Sequence, residues 1–236
     1  MAARSSKAGL GYVSPTKTTH SGENTTCILN KADAGPPESH RYFLARRTVL
    51  QMLRDRGCVI DDSDLNRSLS EFRSAFGDQP DPDQLRICAP LSSKPSKKIL
   101  AIFCGAEEIN KAKAIGILLN VMNKESLHRI ILVLQGKMNH YARKEFDSCQ
   151  VKVEFFPITE LFVNITTHAA APKHEILTTE EKEQLLLKYK LSDKQLPYML
   201  ESDAFARYYG LEKKQVVKFT YNSKITGLFV TYRCVI

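Results

Sequence analysis

The sequence lacks the short signatures on which most enzyme assignments rest. It has no glycine-rich phosphate loop and no Gly-Lys-Ser/Thr, no Gly-x-Ser-x-Gly elbow and no His-Glu-x-x-His. A nuclease would need clustered carboxylates to hold Mg2+, and Asp147 and Glu154 have neither a close acidic partner nor a trailing lysine. Six cysteines stand at 27, 58, 88, 104, 149 and 234, and no two have the spacing of a Cys-x-x-Cys zinc or redox site. His168 and His174 are six apart around Ala-Ala-Ala-Pro, which suits no zinc helix, so local backbone contacts in a turn are expected of them. No catalytic residue, metal, cofactor or small-molecule substrate is therefore expected. No apolar run reaches about 18 residues, so no membrane partner is expected either. The start, Met-Ala-Ala-Arg-Ser-Ser-Lys, has no apolar signal core, which predicts a reducing, intracellular setting.

What is present is a chain of 236 residues, enough for one or two domains with a sizeable core. Its 43% hydrophobic and 25% charged residues are the ordinary mix of a soluble globular protein. The net charge of +8 favours anionic partners. It is spread as +1 over residues 1–40, +4 over 41–165 and +3 over 166–236, so it does not form a basic tail. Such a distribution reads either as a solvated surface or as a nucleic-acid face.

Three parts follow from patterning. Residues 1–38 are rich in Ser, Thr, Gly and Lys and poor in large apolar groups, so a disordered or weakly ordered tail is expected, closed by Gly35-Pro36-Pro37. Residues 39–163 read as an α/β domain. Ser39 is the expected N-cap of a helix to Arg56 with an apolar stripe of Phe43, Leu50 and Leu53, and with Arg46, Arg47, Arg54 and Arg56 mostly off it. Gly57 is its expected left-handed cap. A second helix is expected through Leu65, Leu69, Phe72 and Phe76, then strands at 84–89 and 98–103, a helix over 107–123, a doubly buried strand at 129–134, a helix over 139–147 and a strand at 151–156. The alternation of strands and helices predicts a mixed sheet with flanking helices. Residues 164–236 read as a smaller α/β domain, with helices at about 179–190 and 203–209, closing strands at 215–220 and 229–235, and a loop at 222–227. Cys88, Cys104 and Cys234 are expected in the core, and Tyr189 on the inner side of its helix with Leu185 and Leu186.

The stretch Gln135-Gly-Lys-Met-Asn-His-Tyr-Ala-Arg-Lys144 follows the buried strand at its carboxyl end, where α/β sheets place binding loops. Lys137, His140, Arg143 and Lys144 supply cations for phosphates and Tyr141 a ring able to stack. The alternative is a solvated helix start with Tyr141 packed on the sheet.

The last seventy residues carry the strongest pattern. Asn164-Ile-Thr-Thr-His168, Pro172-Lys-His174, the run Thr179 to Tyr189, Gln195-Leu-Pro197, Ala206-Arg-Tyr-Tyr-Gly210, Gln215-Val-Val-Lys218 and Thr231-Tyr-Arg233 fall in one register. This order resembles the assembly domain of the fifth subunit shared by eukaryotic nuclear RNA polymerases. Upstream, Glu38-Ser-His-Arg-Tyr42, Leu44-Ala-Arg-Arg47, Gln51 to Gly57 and Phe72-Arg73 resemble the first helices of that subunit's jaw domain. Where the family has Thr-Pro in the jaw loop, this chain has Asn139-His140. It also has Asp203-Ala204 for Asp-Pro, Tyr221-Asn-Ser223 for Arg-Pro-Ser and Ile225-Thr-Gly227 for Thr-Ala-Gly. These departures point to a specialised paralogue. Ser39-His40, Tyr208 to Lys213 and Arg233-Cys-Val235 are most similar to the version used by plant RNA polymerase V, which acts in RNA-directed DNA methylation and gene silencing.

The resemblance implies a nuclear, non-catalytic scaffold subunit, with catalysis left to the two large subunits and their Mg2+. It implies an assembly domain docked on the largest subunit through His168, Pro172, His174, Gln195, Leu196, Pro197, Arg207, Tyr232 and Arg233, and a jaw domain lining the downstream DNA channel through Lys137, Asn139, His140, Tyr141, Arg143 and Lys144. Two alternatives stay open: the generic subunit shared by polymerases I, II and III, and a free-standing DNA-binding or nuclease-like protein.

Overall fold

A computed structural model of the protein describes residues 35–121, 126–168, 171–223 and 227–236. The expectations for the tail over residues 1–34, for the helix end at Met122 and Asn123, and for the centre of the loop at 224–226 lie outside these residues.

The first helix, α1, spans Pro37–Asp55. It begins earlier than expected because Pro37 occupies the first turn, where a missing N–H costs nothing. Ser39 is consequently not the N-cap. It is buried one turn inside, where its hydroxyl donates to Pro36 O at 2.9 Å and accepts from Arg73 Nε at 3.0 Å. The helix closes as the sequence predicts: Gly57 has φ +82°, its N–H bonds Arg54 O, and Cys58 N–H bonds Leu53 O. Two of the four arginines set mostly off the stripe have buried side chains. Arg46 is buried beside Asp64 and the Phe76 ring, and Arg56 is buried at the helix end.

The single second helix expected next is two, α2 over Asp62–Leu65 and α3 over Leu69–Phe76. The break is a capping box: Ser68 Oγ accepts from Glu71 N–H at 3.3 Å while Glu71 Oε2 accepts from Ser68 N–H at 2.8 Å. Likewise, Gln84 lies in a 3-10 turn, Pro82–Leu85, rather than in a strand. The elements β1 (Ile87–Pro90), β2 (Lys98–Phe103), α4 (Lys111–Leu119), β3 (Leu127–Leu134), α5 (His140–Asp147) and β4 (Lys152–Pro157) then follow. Strand order is β1-β2-β3-β4, antiparallel in the first pair and parallel in the other two. Register places Ile99, Ala101, Phe103, Ile131, Val133 and Phe156 on the face covered by α1. Leu100, Ile102, Ile130 and Leu132 pack on the other face with Ala114 of α4 and Phe146 of α5. The apolar run of β3 is thus buried on both faces, as its composition predicts.

The second sheet has order β5-β7-β8-β6, with β5 at Lys173–Ile176, β6 at Tyr198–Met199, β7 at Val216–Ser223 and β8 at Gly227–Val235. Helix α6 (Thr179–Tyr189) packs Leu185 against Val216 and Cys234 on one face, and α7 (Ala204–Tyr209) packs Ala206 against Val217 and Phe219 on the other. The architecture is the expected α+β arrangement, a mixed sheet with flanking helices followed by a smaller α/β sheet. The two short edge strands β5 and β6 were not expected. Two side chains are corrected: Cys88 points outward from β1, and Tyr189 is exposed on α6.

Candidate functional site

The basic loop is built on the carboxyl end of β3. Gln135 Oε1 accepts the Tyr42 hydroxyl at 2.6 Å. Gly136 passes so close to the preceding crossover that a Cβ there would lie 2.5 Å from Ala106 O and Glu107 O, so only glycine fits. Ile109 N–H donates to Lys137 O at 2.8 Å, and Asn139 N–H to Ile109 O at 3.1 Å. Asn139 then caps α5, its Oδ1 accepting from Ala142 N–H at 2.8 Å. Lys137, His140, Tyr141, Arg143 and Lys144 are therefore displayed from a backbone tied down on both sides, and all five are at least partly exposed. Tyr141, at 66% exposure, does not pack on the sheet and stands edge-on to the His140 ring. Arg143 lies over the Phe155 ring at 5.1 Å, leaving Lys137 and Lys144 at the surface beside His140.

The residues singled out in the C-terminal part separate into surface and interior groups. His168, Gln195 and Pro197 are exposed. Gln195 also accepts from Ser192 N–H at 2.8 Å, and Pro197 O accepts from Cys234 N–H, tying β6 to β8. Leu196 is a core residue. Tyr232 and Arg233 fall on opposite faces of β8, Tyr232 against the Leu196 cluster and Arg233 over the Phe219 ring at 5.2 Å. His174 is not in a turn but on β5. Its Nδ1 is 3.0 Å from Pro172 O, which can only accept, so Nδ1 carries a proton, and in the neutral ring Nε2 accepts from the Tyr209 hydroxyl at 2.6 Å. Burial pushes that phenol up to about 12, which keeps it a donor.

Arg207 reaches inward to the first sheet. It donates to Glu160 Oε2 and to Phe155 O, each at 2.7 Å, and its guanidinium lies 4.6 Å over the Phe156 ring. It belongs to an ionic junction that joins the two sheets and that sequence reasoning missed. Arg56, with its side chain 4% exposed, donates from Nε to Tyr208 O at 2.8 Å and from Nη2 to Arg207 O at 2.6 Å. A cation there caps the carbonyl end of α7. Arg56 Nη2 also lies 2.8 Å from Glu154 Oε2 as an ion contact outside hydrogen-bond angles. Glu154 Oε1 accepts from Arg129 Nη1, and Arg129 Nη2 donates to Glu212 at 2.8 Å. Burial pushes the Glu154 carboxyl up, but Arg56 and Arg129 outweigh it and hold it below the usual carboxylate range. Its charge is thus committed to two guanidinium groups, so the carboxylate of the first sheet on which a nuclease reading would draw is engaged in an ion pair. Beside it, Tyr208 donates to Asp55 at 2.8 Å, and Asn164 Nδ2 donates to both Gln51 and Tyr208 Oη. The available signal was local: Glu154 and Arg129 are charged residues at interior-facing positions of apolar strands.

Among the described residues no group of three or more His, Cys, Asp or Glu side chains is placed to hold a metal ion.

Known proteins share this sequence over both sheets. Residues 36–122 match the family described as RNA polymerase Rpb5, N-terminal domain, and residues 163–235 match RNA polymerase Rpb5, C-terminal domain. The chain is 53% identical over 214 residues to DNA-directed RNA polymerase V subunit 5C of Arabidopsis thaliana, covering 91% of this chain and 92% of that one. It is 44% identical to Arabidopsis polymerase V subunit 5A, over 89% and 94% of the two chains. It is 35% identical to the RPABC1 subunit of RNA polymerases I, II and III of Caenorhabditis briggsae, over 84% and 97%. With both halves matched and the likeness running nearly end to end, the chain belongs to the Rpb5 family of non-catalytic subunits of DNA-directed RNA polymerase.

Proposed function

We propose that the protein is the fifth subunit of a plant nuclear polymerase, polymerase V, and serves RNA-directed DNA methylation. The observation that carries this is its 53% identity to a polymerase V subunit, against 35% to a subunit of polymerases I, II and III. In this reading residues 39–163 form the jaw domain and 164–236 the assembly domain, and the assembly domain docks on the largest subunit. Exposed His168, Gln195 and Pro197 and the half-buried Pro172, Tyr232 and Arg233 are the docking groups, with Leu196 and His174 holding the surface in shape. The apolar side chains of Leu228 and Phe229, exposed on β8, support a covered surface on this domain. The jaw loop faces downstream DNA, with Lys137, His140 and Lys144 toward phosphate, Tyr141 beside them, and Arg143 and Asn139 setting the start of α5.

Purification of the tagged chain from nuclei, followed by mass spectrometry, is expected to recover the largest subunit of polymerase V. Recovery of the polymerase II largest subunit instead would identify the generic shared subunit, and recovery of no polymerase would overturn the family role. In the assembled enzyme, Lys137→Ala with Lys144→Ala is expected to weaken template retention. Its salt dependence should fall by roughly 0.9 in log–log slope for each phosphate that is no longer neutralised. Unchanged retention and slope would mean that the loop does not touch phosphate.

A further inference from the structure

The basic loop stands at the carboxyl end of the parallel strands. The opposite end is also cationic, and neither docking nor the jaw loop uses it. Strands β2 and β4 open on Lys98 and Lys152, both exposed. The connection from β1 adds Lys94 and Lys97 in a closed turn, in which Lys94 N–H donates to Leu91 O at 3.2 Å and Lys97 N–H to Lys94 O at 2.9 Å. The second sheet contributes from the other side. The ion pair of Arg129 with Glu212 draws the turn after α7 against the start of β3, and Lys213 and Lys214 follow Glu212 in that turn, both exposed. The register sets Lys98 beside Leu127 and Ile99 beside Arg129, so the lysines of the β1–β2 turn and those after Glu212 flank the same end of β3. Two acids close to these lysines are already committed to arginine, Glu212 beside Lys213 to Arg129 and Glu154 beside Lys152 to Arg56 and Arg129.

We propose that this amino-end face, made jointly by the β1–β2 turn, the start of β4 and the turn after α7, is a second nucleic-acid contact that holds the phosphate backbone of a duplex. Ammonium groups act as point charges and suit phosphates without reading bases. The named groups include no Tyr or Phe on which an unpaired base could stack, which favours duplex over single strand. β2 to β4 spans about 10 Å, a length over which a duplex presents roughly six phosphate charges. Because the loop lies at the other end of the sheet, this face stands or falls independently of the loop.

The full-length chain is titrated into a fluorescent duplex of about 30 base pairs at roughly 50–200 mM salt, alongside the Lys94→Ala/Lys97→Ala/Lys98→Ala variant and the Lys137→Ala/Lys144→Ala loop variant. The turn variant is expected to bind about tenfold more weakly at the lowest salt, with its log–log salt slope smaller by roughly two to three. The corresponding triple Lys→Arg variant should restore both values, which separates charge from any change in fold. Unchanged affinity and slope in the alanine variant overturn the proposal, whatever the loop variant does. So does failure of the arginine variant to restore binding. A polyglutamate peptide of equal charge is the competing probe. If it binds more tightly than the duplex and depends on the same lysines, the face takes an acidic protein instead and the nucleic-acid assignment is wrong.

Discussion

Glu154 is the residue on which the junction turns. Its carboxylate separates Arg56 and Arg129, two guanidinium groups that otherwise share a poorly hydrated space. Gly210 is fitted to the same spot, with φ +63° at the end of α7 and room for a Cβ only within 2.8 Å of Arg129 Nη1. Removing one side of a buried ion pair leaves the other charge uncompensated and costs about 3–5 kcal/mol. Glu154→Gln is therefore expected to lower stability by about that amount in urea unfolding at neutral pH. The sign of its pH dependence follows from the depressed folded pKa. The carboxylate's stabilisation is fully present above its unfolded value and is lost as pH falls through the folded one. The gap between wild type and Glu154→Gln should hold from neutral pH down to about 5 and close below the ordinary carboxylate value. A gap that widens in acid would show that Glu154 is destabilised, not stabilised, by its arginines.

At the scale of elements, what was legible in the sequence depended on whether its cause was local. The end of α1 at Gly57, the start of α5 at Asn139 and the end of α7 at Gly210 rest on caps within a few residues, and they stand where the residues predict. β3 was legible because a continuous apolar run has few other uses. β5 and β6 were not, because Lys173–Ile176 and Tyr198–Met199 are too short to show alternation and exist only through pairing with β7 and β8. The site divides in the same way. The basic loop could be read from its cations and its place after β3, and Arg129 shows as a charge inside an apolar strand, whereas Arg56 and Arg207 look like surface arginines until their partners, more than forty residues away, are known. The missed break between α2 and α3 is itself a local signal, since Ser68 and Glu71 form a capping box. Ser68→Ala is expected to cost about 1 kcal/mol and to increase amide exchange in α3 without affecting α6. Equal effects on both helices would mean that the break is set by tertiary packing.

At the scale of the whole molecule, Gly35–Ile236 forms one compact unit although it contains two sheets with separate cores. What joins them is chiefly polar: Arg56 on the end of α7, Arg207 on Glu160 and Phe155 O, Asn164 between Gln51 and Tyr208, and Glu154 between its arginines. The apolar share is small, with Tyr208 and the partly buried Tyr209 and Ile165 the C-terminal residues in the first core. An interface of this kind couples two bodies only while its hydrogen bonds and ion pairs are complete, because breaking those of Arg56, Glu154 and Asn164 leaves buried polar groups unsatisfied. Wild type should therefore unfold in a single calorimetric transition. In Glu154→Gln with Arg207→Ala the junction is weakened from both sheets at once, and the transition should split. The C-terminal sheet should melt first, since its two core clusters are the smaller ones. A single transition in the double variant, merely shifted to lower temperature, would mean that Tyr208 and its apolar neighbours hold the halves together without the charges. Two transitions would show that the polar junction sets how the two sheets are held relative to one another.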